Sequence, residues 1–148
     1  MRHNRLYTHG MTDALNILMR WLHISSVVVS IGGILYARLV VAPSIASMPA
    51  EQQETLGVAM AARYRGLLYL AMLFLLASGT YNIFMNLGRG PLYHAFLGIK
   101  LLLVLHVFAV GFLIVKPKNP KRARMMTGML ISGVIIIAIS AVLRQLHI

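Results

Sequence analysis

Four stretches of about 20 mostly apolar residues dominate this chain: WLHISSVVVSIGGILYARLVVA, GLLYLAMLFLLASGTYNIFMN, PLYHAFLGIKLLLVLHVFAVGFLIV and MMTGMLISGVIIIAISAVLR. An α-helix of roughly 20 residues crosses the ~30 Å hydrocarbon core of a bilayer, and in lipid a helix satisfies its own backbone. The pattern predicts an all-α fold, an integral membrane four-helix bundle running up-down-up-down. One transmembrane domain covers residues 1–148, with spans at approximately 15–42, 65–87, 91–115 and 124–144. Composition agrees, since 59% of the 148 residues are hydrophobic and only 11% charged. A soluble domain of this length lacks the polar exterior to cover so much apolar surface. The first run, from Trp21 to Val41, is longer than the roughly 7–15 residues of a signal-peptide core, so a retained helix is expected.

The chain has no cysteine, which excludes disulfides, thiolate metal sites and cysteine-held iron–sulfur clusters within it. Its 14 Lys+Arg against 3 Asp+Glu give a net charge of +11. These cations flank the apolar runs, as expected for contact with anionic lipid head groups, and nucleic acid is not an expected partner. Arg2, Arg5, Arg20, Arg89 and Arg144 fall on the side of the termini. Arg63, Arg65, Lys116, Lys118, Lys121, Arg122 and Arg124 fall on the other, with Arg38 near it. The excess predicts a bacterial inner (plasma) membrane protein with both termini outside.

Local signals punctuate the spans. Residues 1–13 read as a loose polar arm, with Thr12 or Asp13 capping the first helix and Pro43 ending it. Ser47, followed by Pro49 and Glu51, reads as the N-cap of a second helix. That helix is expected to lie along the interface and to enter the membrane after Arg63-Tyr64-Arg65. Pro91 opens the third helix after a Gly88–Gly90 turn, and Asn119-Pro120 precedes the fourth.

Ionisable groups at membrane depth are costly and usually functional. His23 lies just below the interfacial Trp21, and Ser26, Ser30, Gly33 and Ala37 continue its face as a stripe of small residues. Such a stripe admits a neighbouring helix or a flat ligand. Lys100 lies nine residues beyond Pro91, about 14 Å along its helix and near mid-membrane. The only acids, Asp13, Glu51 and Glu54, lie outside the spans, so a ligand carboxylate is one source of counter-charge. A neutral lysine bonded to Ser or Asn side chains is the other reading. His94, Asn82, Asn86, Tyr81 and Tyr93 reach the same membrane side as His23, which opens a shallow site of His23, His94 and Asn82. His94, Lys100 and His106 do not share a helical face, and His106 is expected to be a packed or hydrogen-bonded core histidine rather than a ligand. Ten methionines raise copper, with Met11, Met19 and Met85 on the side of His9, His23, His94 and His147. No H-E-x-x-H or phosphate-loop motif occurs.

The run Trp21-Leu22-His23 through Gly32-Gly33, Tyr36 and Arg38 resembles the first helix of the J-type protoporphyrinogen oxidases and the related copper-resistance D (CopD-like) membrane proteins. Gly33 and Tyr36 stand ten and thirteen residues after His23, as in the J-type pattern. The family arginine comes one residue later than Arg38, and Ser30 replaces a family tryptophan. His94 and Lys100-Leu101 are similar to that family's His-x-Lys-Leu, with a longer spacing here. Tyr81-Asn82 after Gly79 looks CopD-like. The resemblance implies a four-helix membrane bundle binding haem b through His23, and, in the J-type enzymes, protoporphyrinogen oxidation requiring the residues matched by His23 and Lys100.

The expectation is therefore a haem b protein of redox or tetrapyrrole function, with Lys100 as the catalytic candidate. His23 and His94 are the candidate iron ligands, and Ser30, Gly33, Arg38 and Asn82 the further cofactor-binding candidates. The macrocycle is expected against Ser26, Ser30 and Gly33, with its propionates near Lys100, Arg20 or Arg89. The alternatives are a copper-binding or transport protein using His23, His94 and methionines, and a structural subunit. The latter is a homo-oligomer or part of a larger membrane complex, docking through Gly128, Ser132, Gly133 and Ser140.

Overall fold

The computed structural model describes residues 2–116 and 119–145, with side chains from Thr12 onward. Lys118 and His147 lie outside the described residues, as do the side chains of Arg2, Arg5, His9 and Met11. Among the described residues there are four long helices and no strand, and each helix is long and apolar enough to cross a membrane. The chain is an all-α, integral membrane bundle.

Helix α1 spans residues 2–44 and is not uniform. α-Helical Arg2–Val27 gives way to π-helical turns at Val28–Gly32 and Ala37–Val41, with Gly33–Tyr36 between them and Ala42–Ser44 after. The Ser30 hydroxyl donates back to the Ser26 carbonyl at 2.7 Å, a bond that loosens the local ladder. Beside the first π turn, Tyr64 of the next helix donates its hydroxyl to the carbonyls of Val29 and Ser30, at 2.6 and 3.2 Å, the Val29 carbonyl also accepting the Gly33 N–H. The expected loose arm is helical from Arg2, so Thr12 and Asp13 lie inside the helix rather than capping it. Pro43 sits in its last turn.

Helix α2, Ala50–Phe84, is one continuous rod of 35 residues, about 52 Å long. It does not break at Arg63-Tyr64-Arg65 to lie along the interface. A rod of that length overhangs a ~30 Å core instead. Pro49, extended at ψ 143°, precedes its first residue, so Ser47 is not its cap. Gln53 ties the start down by donating to the carbonyls of Met48 and Ala46 at 2.8 and 3.3 Å. Helix α3 is Pro91–Ile114 and α4 is Arg122–Gln145. Asn119 accepts the Lys121 N–H at 3.0 Å just before α4.

Each helix packs on its sequence neighbour, and α4 closes on the π-helical half of α1, giving an antiparallel ring in the order α1, α2, α3, α4. The two hairpins are each well joined, whereas α2 touches α3 only slightly. The buried apolar cluster (Ile34, Leu68, Met72, Val107, Val110, Ile114, Val115, Met129) lies in the half of the bundle away from the termini. There Ile31 fits against Gly133, and Met72 against Gly111. Ser132 and Gly133 are thus buried within the chain and are not a free docking face.

The cluster stops at mid-membrane. In the other half, α1 above Val27 packs on α2 alone, and no part of α1 packs on α3. The buried residues there are Ser26, Ser78 and Leu143, two of them polar. This open half of the bundle contains His23 and Lys100.

Candidate functional site

His23 sits half-buried on the α2-facing side of α1, five residues before the first π segment begins. Its Nδ1 is 2.9 Å from the Ser78 hydroxyl. Ser78 is 1% exposed, and its hydroxyl also lies 2.6 Å from the Phe74 carbonyl. A serine hydroxyl has one proton, and a carbonyl only accepts, so that proton goes to Phe74. The hydroxyl must then accept from His23, which fixes the neutral imidazole as the Nδ1–H tautomer. The lone pair is left on Nε2, the arrangement by which outer-shell hydrogen bonds orient metal-ligating histidines.

Lys100 approaches from α3. It is half-buried and near enough to bear electrostatically on His23, although α1 and α3 do not pack on each other. Among the described residues its ammonium has no hydrogen-bond or ion-pair partner, and no Ser or Asn side chain bonds it. Among the described residues no fully enclosed side-chain nitrogen lacks a partner, so the ammonium is not sealed inside the bundle. The gap left between α1 and α3, which do not pack on each other, is the crevice, with Lys100 on the α3 side and His23 on the α1 side.

The remaining candidates lie elsewhere. His94 is exposed, with its ring edge-on to Tyr93 at 5.6 Å. Six residues turn a helix by roughly 240°, so with Lys100 facing His23, His94 points away from the crevice. It is not brought to His23 as a second ligand. Ser30 is 2% exposed, and a side-chain carbon on Gly33 would meet the Tyr64 hydroxyl and ring at 2.5–2.8 Å. Tyr64 therefore occupies the space over Gly33 and beside the Val29 and Ser30 carbonyls, and a flat ligand has no room against Gly33. Arg38 donates to Thr127 of α4 at 3.3 Å, about 22 Å along α1 from His23. Asn82 is exposed and belongs to a rim network: Asn86 donates to its carbonyl at 2.6 Å, Arg89 donates to Asn86 at 2.7 Å, and Arg89 lies over the Tyr93 ring. Tyr81 donates to Asn16 at 2.6 Å and ties α2 to α1.

His106 is exposed rather than packed in the core, with Nε2 beside Gly128. Met19 is half-buried and Met85 exposed, and no group of three or more His, Cys, Asp or Glu converges among the described residues. Sequence reasoning missed Ser78 and Tyr64. Each had a signal: Ser78 interrupts a long apolar run, and Tyr64 follows Gly33 in a chain that needs something to fill a small-residue groove.

Comparison with protein-family models, with curated proteins and with solved structures found no match for this chain.

Proposed function

We propose that this is a membrane-embedded haem b protein of redox or tetrapyrrole function, holding its ligand in the crevice between α1 and α3. His23 would bind the iron through Nε2, and Lys100 would pair with a propionate. One observation carries this reading: an imidazole held by Ser78 with its lone pair free, beside a mid-membrane ammonium without a protein partner. A single ligand that offers both a Lewis-acidic metal and a carboxylate satisfies both groups at once. The donor set supports one axial histidine, and the macrocycle belongs in the crevice rather than on the filled Gly33 face. Bound haem would supply one-electron chemistry. The chain's own contribution is to orient the imidazole, neutralise the carboxylate and keep the pocket within lipid.

The resemblance to J-type protoporphyrinogen oxidases and CopD-like proteins supports the same pair of residues. In the enzymatic version Lys100 engages the carboxylates of a porphyrinogen, and porphyrin fluorescence developing from added protoporphyrinogen tests it. Copper fits less well. A copper cation on His23 would be repelled by the Lys100 ammonium, with no carboxylate of its own to offset that repulsion. An inner-membrane location with both termini outside is part of the proposal, supported by the excess of arginine and lysine around residues 38–65 and 116–124. Reporter fusions at either terminus test it.

The experiment for the central reading is haem content, by pyridine haemochrome, of detergent-purified wild type, His23→Ala and His94→Ala. Wild type and His94→Ala should retain haem and His23→Ala should lose it. Full haem in His23→Ala would remove the ligand assignment. Metal-free, colourless protein that co-purifies with larger partners would favour a structural subunit.

A further inference from the structure

The end of the bundle remote from the crevice contains a second cluster of charge that the haem reading does not use. Helix α3 ends there with its last carbonyls unpaired by the helix itself, as every α-helix does. Two arginines from different helices converge on them. Arg65 of α2 donates to the Val115 carbonyl at 3.2 Å. Arg122, at the start of α4, donates to Ile114 and Lys116 at 3.2 and 3.0 Å. The Arg122 guanidinium also lies against the backbone of Gly57 in α2, where an added side-chain carbon would fall 2.8 Å from Nη1. Two guanidiniums are thus fixed on three consecutive carbonyls by α2 and α4.

The charge does not balance. A helix C-terminus supplies roughly half a negative charge, against two full positive ones. Lys116, Lys121 and Arg124 are exposed nearby and add to the excess. Glu51 and Glu54 lie one to two turns before Gly57 on α2, and neither forms an ion pair with Arg65 or Arg122. Each guanidinium has five N–H donors. The three bonds above use three of ten, leaving a pre-oriented set of donors at the edge of the apolar span, where Gly66-Leu67-Leu68 begins and α3 ends. Guanidinium forks held in this way match phosphate oxygens.

We propose that Arg65 and Arg122 form a binding site for the phosphodiester of an anionic phospholipid head group. The depth of the site selects a lipid over a free anion, and the absence of a carboxylate in the clamp selects an anionic head group over a zwitterionic one, whose own ammonium the excess charge repels. This site is independent of the His23 crevice.

The test uses the full chain in detergent with mixed phosphatidylglycerol and phosphatidylcholine, read by native mass spectrometry and by thermal midpoint. Wild type should retain phosphatidylglycerol over phosphatidylcholine by about tenfold, and Arg65→Gln and Arg122→Gln should abolish most of that preference. Arg144→Gln, exposed at the other end, should leave it intact. If Arg122→Gln does not fold, Arg65→Lys keeps the charge, removes the fork and should still lose the preference. Three results overturn the proposal: equal retention of the two lipids by wild type; Arg65 variants that lose stability in both lipids without a change in preference; or inorganic phosphate raising the midpoint as much as phosphatidylglycerol.

Discussion

Replacing Gly33 by alanine tests how α1 and α2 fit together, and the neighbouring glycine supplies the control. In a regular helix Gly→Ala gains about 1 kcal/mol. At Gly33 the new carbon would meet the Tyr64 hydroxyl at 2.5 Å and its ring at 2.7–2.8 Å, so Tyr64 must move. Overpacking of this kind costs about 1–3 kcal/mol. Moving Tyr64 also weakens its bonds to the Val29 and Ser30 carbonyls, a further loss of about 0.5–1.5 kcal/mol. The balance is a net loss of about 0.5–3.5 kcal/mol. At Gly32 nothing lies within 4 Å of the added carbon, so Gly32→Ala should gain up to about 1 kcal/mol. The two substitutions, one residue apart, are predicted to have opposite signs. Thermal unfolding in one detergent, followed by circular dichroism, reads both. In a Tyr64→Leu background the Gly33→Ala penalty should largely vanish. A Gly33→Ala protein as stable as Gly32→Ala would refute the packing described for α1 and α2.

The other predictions concern the crevice and its surroundings. Ser78→Ala removes the acceptor that fixes the His23 tautomer, and hemin titration should show haem binding weakened about tenfold. Lys100→Gln should also weaken retention of haem, with a smaller effect on haem esterified at its propionates, since the ester removes the charge the ammonium meets. Arg38→Gln, losing one exposed 3.3 Å bond to Thr127, should change the thermal midpoint by less than about 1 kcal/mol equivalent and leave haem content unchanged. Gly133→Ala should cost less than Gly33→Ala, because the atom it meets at 2.8 Å is the far end of the Ile31 side chain.

The four helices and the polar residues within them were legible because they depend on local composition and helical rise. Depth alone identified His23 and Lys100, since an ionisable group at a given rise is costly whatever its neighbours. Partner identity was not legible. The bond from His23 to Ser78 depends on the register of α1 against α2, which no single-helix pattern encodes. Tyr64 reads as an interfacial residue between two arginines, yet the continuity of α2 carries it to the π turn of α1. The face of Ser26, Ser30 and Gly33 was correctly seen as a close-approach surface, and what approaches it is that tyrosine. The six-residue separation of His94 and Lys100 already forbade a shared face. Only the electrostatic proximity of Lys100 to His23 favours Lys100 over His94 as the residue beside the crevice.

The most direct test of the haem reading is a dithionite-reduced minus oxidised visible spectrum of the wild-type protein, purified in detergent and again after addition of hemin. Sharp reduced α and Soret bands at near-stoichiometric haem are predicted. A flat spectrum in both preparations would contradict a haem site at His23.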